Sequence, residues 1–350
     1  MSLLRGPGRL QAFLRFLLAV VYFVIARFLA NKAAQGFGFG EALPLLRNFF
    51  LLFLEIIGFG YMALAFDHMR QPLRSMGLIR RPGWMREFAL GAAIGWGMMV
   101  VVVLCMALAG ALYISFWGAS HAFVLLVIQL CALAIGTLAL EVAFRGYPFQ
   151  RLIEAFGPFA ATVMACIFFG LLRMESPEAG TAGIWVSGIA AVLLSIAYLR
   201  TRALWLPWGL HFAWLASMGV LFGLPIAGDT QAATVVQTST YGPFWMTGGD
   251  YGPEAGWLAA FVLIAGLFVL VRVTRDLSWK YNQPELKPAG IPMDVPHPAP
   301  VSPAIKVEQP SQPQFVQIVP MTATPMTATP ASASTASTAT STPEPPDSAD

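Results

Sequence analysis

Long apolar runs alternate with short polar or basic stretches along most of this chain. About 20 consecutive apolar residues in a helix cross a hydrocarbon core. Runs of about this length predict eight transmembrane helices, at residues 10–30, 43–66, 88–114, 121–141, 158–174, 181–199, 203–224 and 255–273. We therefore expect an all-α membrane protein. The alternative for the first run is a signal peptide, but it lacks a convincing small-residue cleavage site.

Composition and loop charge agree with a multi-pass protein. The chain is 57% hydrophobic and 11% charged, whereas soluble domains have about 25% charged residues. Arginines concentrate in the loop 67–87 and after the fourth, sixth and eighth runs, and the intervening loops are poor in cations. The positive-inside rule then predicts both termini in the cytoplasm. The net charge of +3 reflects this topology and does not indicate nucleic-acid binding. Compact loops and the lack of eukaryotic targeting signals favour a bacterial inner membrane.

The composition changes near residue 282, which divides the chain into three predicted parts. Residues 1–84 hold the first two helices and the basic loop, and residues 85–281 form a transmembrane core. Residues 282–350 are rich in Pro, Ala, Ser and Thr and contain the repeat "PMTATPMTATP". This last part has too little apolar surface to offset the entropy of ordering. We expect it to be a disordered cytoplasmic tail.

Of the ionisable residues inside the apolar runs, four are candidates for function: Glu55, Glu141, Arg173 and His211. Such residues are costly in a membrane and are functional candidates by default. Arg145 follows Glu141 at i+4, an arrangement that favours an intrahelical salt bridge. That pairing makes a structural role for both residues a strong alternative to a catalytic one.

A helical hairpin is predicted around Gly157 and Pro158, which read as a turn. Glu141 and Arg173 lie sixteen residues to either side of Gly157, so both are about 24 Å from the turn at 1.5 Å per residue. Pro148 is expected to kink the first arm, and the hairpin's amphipathic end, with Arg151 and Glu154, to project past the membrane surface. We expect Glu141, Arg173 and His211 to reach one cavity that opens to the cytoplasm.

These residues resemble motifs of the CAAX prenyl protease 2 family, also called the CPBP or Abi family of intramembrane proteases. The family patterns are E-E-x-x-x-R, F-x-x-x-H and H-x-x-x-N or H-x-x-x-D. The chain has "LEVAFRG" (140–146), "FGLLR" (169–173) and "HFAWL" (211–215) in the same order. The segment "TGGDYGPEAG" (247–256) also resembles a glycine-rich stretch before the last helix of bacterial members. The resemblance covers about residues 85–275 and implies a CAAX-protease-like helix bundle.

The departures from the family patterns decide the predicted function. The resemblance places Leu140 where the first glutamate activates water, Arg173 at the histidine of F-x-x-x-H, and Leu215 at the final asparagine. Leucine is neither a base nor a hydrogen-bond donor, and arginine is always protonated in proteins, so it cannot take a proton from water. Because peptide hydrolysis needs both a base and oxyanion donors, we expect a pseudoprotease.

The candidate site residues follow from this comparison. Glu141, His211 and Arg145 are the survivors at catalytic positions, and Arg173 and Glu55 are expected to contact substrate. The chain would then bind a membrane-associated peptide or protein in the old cavity, with membrane lipid around it. No cofactor is expected, and zinc is expected only if the site is active, since no second histidine completes a metal shell. The three cysteines lie in apolar runs without C-x-x-C spacing, so they predict neither disulfides nor a zinc site.

Two alternatives stay open at the sequence level. The first is an active endopeptidase with Glu141 as base beside His211. The second, from another class, is a small-solute carrier whose path is lined by Glu55, Glu141 and Arg173.

Overall fold

The computed structural model describes residues 8–281 except 39, 70, 79 and 173–179. Within this part the chain is mainly helical. The helices are α1 (Arg9–Gly36), α2 (Leu43–Asp67), α3 (Pro72–Ser75), α4 (Trp84–Leu108), α5 (Ser120–Arg145), α6 (Tyr147–Phe156), α7 (Pro158–Leu172), α8 (Gly180–Thr201), α9 (Trp205–Ala216), α10 (Phe244–Thr247), α11 (Trp257–Val273) and α12 (Arg275–Tyr281). A π-helical turn, Ser217–Leu221, extends α9, and two 3₁₀ turns, Gly249–Tyr251 and Pro253–Ala255, precede α11.

Each predicted apolar run overlaps a helix in the described part of the chain. Among the described residues, five helical segments are long and apolar enough to cross a membrane: Arg9–Gly36, Leu43–Asp67, Trp84–Leu108, Ser120–Phe156 and Gly180–Thr201. Two further apolar helices, Pro158–Leu171 and Trp257–Val273, are shorter. The prediction of an integral membrane protein is therefore supported. The count of eight spans and the cytoplasmic position of the termini stay predictions.

Two short strands are the main departure from the all-α expectation. Strand β1 (Leu112–Phe116) pairs with β2 (Val236–Thr240) in an antiparallel ribbon, from Leu112 opposite Thr240 to Phe116 opposite Val236. The apolar run 88–114 was predicted to stay helical through its last residues. Instead α4 ends at Leu108, and Gly110 adopts a positive φ of 69°. A continuous apolar run does not distinguish a helix end from a strand.

The predicted hairpin is confirmed, with a break where a kink was expected. Helix α5 ends at Arg145, and the Gly146 N–H bonds to the Val142 carbonyl. Pro148 lies in the first turn of α6. A backbone N–H has no acceptor within the helix at this position, so proline is tolerated there. Gly157, with a φ of 87°, then turns the chain into α7, which begins at Pro158.

Helix α6 packs against its neighbours, and Arg151 is buried instead of lying at a free amphipathic end. Arg151 Nη1 donates to Asp67 Oδ1 of α2 at 2.8 Å, and Arg15 of α1 donates to the same oxygen. Arg151 Nη2 also pairs with Glu154 Oε1 at 2.6 Å. We call Arg15, Asp67 and Arg151 the Asp67 clasp, since it ties α1, α2 and α6 together.

Close backbone packing between α4 and α9 fixes the position of His211. A Cβ on Gly91 would lie 2.1 Å from the Leu206 carbonyl oxygen, and one on Gly95 would lie 2.2 Å from that of Leu210. Gly209 offers the reciprocal contact, because its Cβ would lie 2.1 Å from the Phe88 carbonyl oxygen. Small residues spaced by four let helix backbones approach in this way.

Candidate functional site

A buried polar cluster joins α5 to α9 in the middle of the bundle. Glu141 Oε1 lies 2.7 Å from His211 Nδ1 and 3.3 Å from Arg145 Nη1. Glu141 and Arg145 are fully buried, and His211 is 8% exposed. Thus the structure brings together the three residues predicted at catalytic positions, and the predicted i to i+4 pair of Glu141 and Arg145 is present.

Aromatic rings and a backbone carbonyl enclose this cluster. Arg145 Nη2 donates to the Ala191 carbonyl of α8 at 3.2 Å. The guanidinium carbon lies 5.2 Å from the Phe169 ring centroid and 5.8 Å from that of Phe144. Phe169 also makes an edge contact with the His211 ring, at 6.4 Å between centroids. The carboxylate therefore has two cationic or polar partners in a largely dry environment, which favours the ion pair over an isolated charge.

Two polar atoms of the cluster have no hydrogen-bond partner among the described residues, Glu141 Oε2 and Arg145 Nε. Buried polar atoms are normally satisfied by protein or water. Glu141 Oε2 could act as a base only if water reached it, whereas Arg145 Nε can only donate a hydrogen bond.

A larger cavity of about 740 Å³ lies beside the cluster, between α1, α2, α5 and α9. Leu140 and Leu215 line it together with Phe169. Glu141 and His211 are not among its lining residues. Successive residues of an α-helix are rotated by about 100°, so Leu140 faces the larger cavity while Glu141 faces His211.

The polar part of the larger cavity comes mainly from α1 and α2, with Arg27, Asn31, Arg47 and Asn48 in its lining, and Thr137 of α5 adds a hydroxyl. Asn48 Nδ2 donates to the Ala132 carbonyl of α5 at 2.9 Å. A Cβ on Gly136 would lie 2.4 Å from that nitrogen, so glycine leaves the space that Asn48 fills. These residues were not predicted as site residues, although Arg27 and Arg47 carried the signal of a charge inside an apolar run.

His211 lines a separate small cavity of about 30 Å³, with Ser187 of α8 and Glu254 of the turn before α11. Such a volume accommodates about one water molecule. Glu254 is 7% exposed and lies in the glycine-rich segment 247–256 that resembles bacterial family members. The sequence analysis did not select Glu254, because this residue lies in a loop segment and not inside an apolar run.

Of the two remaining predicted site residues, the structure describes Glu55. Arg173 is outside the described residues, so its position level with Glu141 stays a prediction. Glu55 is fully buried on α2 near Tyr22, and it lines neither cavity. Both its carboxylate oxygens lack a hydrogen-bond partner in the described part of the chain.

The described residues do not fit a zinc site. His211 and Glu141 are the two candidate ligands at the cluster, and the Nδ1 atom of His211 faces Glu141. A catalytic zinc ion takes three protein ligands, and no group of three His, Cys, Asp or Glu side chains that could hold a metal occurs among the described residues.

The comparison with protein families agrees with the sequence motifs. The family model for type II CAAX prenyl endopeptidase Rce1-like proteins matches residues 122–217, from α5 to the end of α9. This segment contains the whole Glu141–Arg145–His211 cluster, and also Leu140 and Leu215, which line the larger cavity. No curated protein and no solved structure matches the chain.

Proposed function

We propose, from the premise that this chain belongs to the CAAX prenyl protease 2 (CPBP) family, that it is a catalytically impaired pseudoprotease. It binds a membrane-associated peptide or protein in the larger cavity and does not hydrolyse it. The proposal includes a bacterial inner membrane as its location, which the compact loops favour.

One observation carries the proposal: the two positions where the family has a base and a final polar side chain are leucines that line the larger cavity. Hydrolysis of a peptide bond needs a group to take the proton from water and donors for the oxyanion. Neither Leu140 nor Leu215 supplies such a group. The cavity keeps its volume and a polar side, and these suit binding.

The surviving polar residues support a structural role. Glu141 and Arg145 are fully buried, and Glu141 already holds His211 and Arg145 through one oxygen. A water molecule in the larger cavity would approach the Leu140 side of α5, about 100° around the helix from Glu141. The cluster therefore joins α5 to α9 beside the cavity without facing a ligand in it.

The second candidate is an active endopeptidase, and the 2.7 Å contact between Glu141 and His211 favours it. A carboxylate that orients a histidine is a recurring device in catalysis. In that case water would be activated in the small cavity that His211 and Glu254 line. The carrier alternative has no comparable support, because Glu55 lines neither cavity and Glu141 is fully buried.

A turnover assay separates the two candidates. The purified protein is reconstituted in liposomes with fluorogenic peptides that carry a membrane anchor, and the wild type is compared with Glu141→Ala and His211→Ala. The pseudoprotease proposal expects no turnover above empty liposomes for all three proteins. Turnover by the wild type that both substitutions abolish would establish the endopeptidase instead.

A further inference from the structure

The ribbon of β1 and β2 lies at the opposite end of α4 from the basic loop 67–87. Strand β1 begins four residues after Leu108, the last residue of α4, and α4 is long and apolar enough to cross a membrane. The ribbon is held to the bundle through Thr238, whose N–H donates to the Gly223 carbonyl at 3.0 Å and whose hydroxyl donates to the Phe222 carbonyl. Its position relative to α4 is therefore fixed.

Large aromatic side chains project from this ribbon and from the segments that follow its strands. Six of them are more than half exposed: Tyr113, Phe116, Trp117, Tyr241, Phe244 and Trp245. We call these six side chains the aromatic patch. Exposed apolar groups that are concentrated in one region indicate an interaction surface.

The polar groups around the aromatic patch are uncharged. Residues 109–119 and 230–249 contain no Lys, Arg, Asp or Glu. The strand register pairs Tyr113 with Ser239 and Ser115 with Gln237, so these hydroxyls and this amide share one face of the ribbon. Aromatic rings beside uncharged polar groups are typical of the boundary between hydrocarbon and water in a bilayer, where Trp and Tyr are enriched.

An exposed apolar stripe on α4 leads to the aromatic patch. Val101, Leu104 and Leu108 follow one another at helical spacing and are exposed, Leu108 to 81%. On a helix that crosses a membrane, such a stripe contacts acyl chains. Because Tyr113 follows only five residues after Leu108, the surface of α4 that contacts lipid continues into the patch.

We propose that the aromatic patch lies in the headgroup layer of the bilayer, on the side of the membrane opposite the loop 67–87. The apolar parts of the rings contact the upper acyl chains, and the tryptophan N–H and tyrosine hydroxyl groups meet headgroup oxygens and water. The patch thereby fixes the depth of α4 in the membrane. This inference goes beyond the proposed function and does not depend on whether the chain binds or cleaves a peptide.

The free edge of β1 supports this depth. In the described part of the chain, β1 pairs with β2 alone, so the N–H and C=O groups on its other edge need partners from outside the ribbon. Such groups are costly in hydrocarbon, which excludes a deeper position. The exposed rings disfavour a position wholly in water. The headgroup layer satisfies both the backbone edge and the rings.

Quenching of tryptophan fluorescence by brominated lipids tests the proposed depth. The full-length protein is reconstituted in phosphatidylcholine vesicles whose acyl chains carry bromine either near the headgroup or near the methyl end. Trp117→Phe with Trp245→Phe removes two tryptophans of the patch, and the difference in emission from the wild type gives their share. We expect bromine near the headgroup to quench this share more strongly than bromine near the methyl end.

Trp96→Phe is the matched control. Trp96 is 51% exposed, close to the 52% of Trp245, but it lies halfway along α4. Bromine near the methyl end should therefore quench the share of Trp96 more strongly, which is the reverse order. Phenylalanine keeps an aromatic ring at each position, so the variants should unfold at the wild-type temperature. If the double variant fails to fold, Trp117→Phe alone gives the same comparison.

Three results would overturn the proposal. Quenching of the patch tryptophans by acrylamide in the water phase, and by neither brominated lipid, would place the patch in water. The same order of quenching as for Trp96 would place it in the hydrocarbon core. Protection from acrylamide and from both lipids would mean that protein, such as a second copy of the chain, covers the patch. None of these readouts involves turnover, so the proposed function stands or fails independently.

Discussion

Glu141 Oε1 and His211 Nδ1 lie 2.7 Å apart and join α5 to α9 inside the helix bundle. The same carboxylate oxygen contacts Arg145, which is itself fully buried. Glu141 is thus the partner of two other side chains at once, and its removal leaves a buried guanidinium whose one remaining hydrogen-bond acceptor among the described residues is the Ala191 carbonyl. We expect this relationship to dominate the local stability whether or not the chain is an enzyme.

The first prediction concerns Glu141→Gln. The amide keeps the size of the side chain and removes its charge, so Arg145 loses its counter-ion. Breaking a buried pair by removing one partner costs about 3–5 kcal/mol, and we expect a loss of this order in the free energy of unfolding. Chemical unfolding in detergent micelles measures it.

A matched control for this substitution is Glu41→Gln. Glu41 also pairs with a histidine, His121, at 3.4 Å, but both side chains are more than half exposed. Exposed pairs contribute little, so this variant should unfold like the wild type. Equal losses for the two variants would contradict a special role for the buried cluster.

The second prediction concerns the approach of α4 to α9. Gly95→Ala places a methyl group 2.2 Å from the Leu210 carbonyl oxygen, so the helices must separate. Overpacking of this kind costs about 1–3 kcal/mol, and thermal unfolding should show a clear loss. Gly97→Ala, on the same helix, meets nothing within 4 Å and should be neutral or slightly stabilising, since alanine is the better helix former. A similar loss in both variants would mean that the close approach of α4 to α9 is not the cause.

Much of the helical framework could be predicted, because hydrophobic length is a strong signal in a membrane protein. The turn at Gly157 and Pro158 was also predictable from local residue chemistry. The strand Leu112–Phe116 was not, because it continues an apolar run and its partner β2 is more than a hundred residues away. Pairing over such a distance leaves no local pattern in the sequence.

The three residues of the buried cluster were predicted together, but the separation of the cluster from the larger cavity was not. Glu141, Arg145 and His211 could be grouped from the family motifs and from helical spacing. That Leu140 and Glu141 face different spaces depends on how α5 is rotated against α1, α2 and α9, and tertiary packing sets this rotation. Glu254 was missed for a similar reason, since only the fold brings its loop to the small cavity.

The third prediction concerns the Asp67 clasp. Asp67→Asn removes a buried charge that accepts hydrogen bonds from Arg15 and Arg151. The contacts of α6 with the N-terminal part of α1 and with the C-terminal end of α2 should weaken as a result. We expect a loss of about 2–4 kcal/mol, discounted because Arg15 is 21% exposed. Hydrogen exchange should rise at Tyr147–Phe156.

The comparison variant for the clasp is Glu154→Gln. Glu154 contacts the same Arg151, at 2.6 Å, but its side chain is 39% exposed, and a partly solvated pair contributes less. Its effect on exchange in α6 should be clearly smaller. If Glu154→Gln releases α6 as much as Asp67→Asn does, Arg151 is held mainly within its own helix and the clasp has no role.

The fourth prediction concerns the return of the missing chemistry. Leu140→Glu, Arg173→His and Leu215→Asn together restore the family patterns, and Leu140 and Leu215 already line the larger cavity. A carboxylate at residue 140 would meet cavity water, while Glu141 would keep its partners His211 and Arg145. General-base catalysis contributes about 10²–10⁴-fold, so the triple variant should cleave an anchored fluorogenic peptide at least a hundredfold faster than the same variant with Gln at residue 140. An inactive triple variant that unfolds at the wild-type temperature would show that the cavity does not support hydrolysis. Wild-type turnover equal to that of the triple variant would show that Leu140 and Leu215 do not prevent hydrolysis in the wild type.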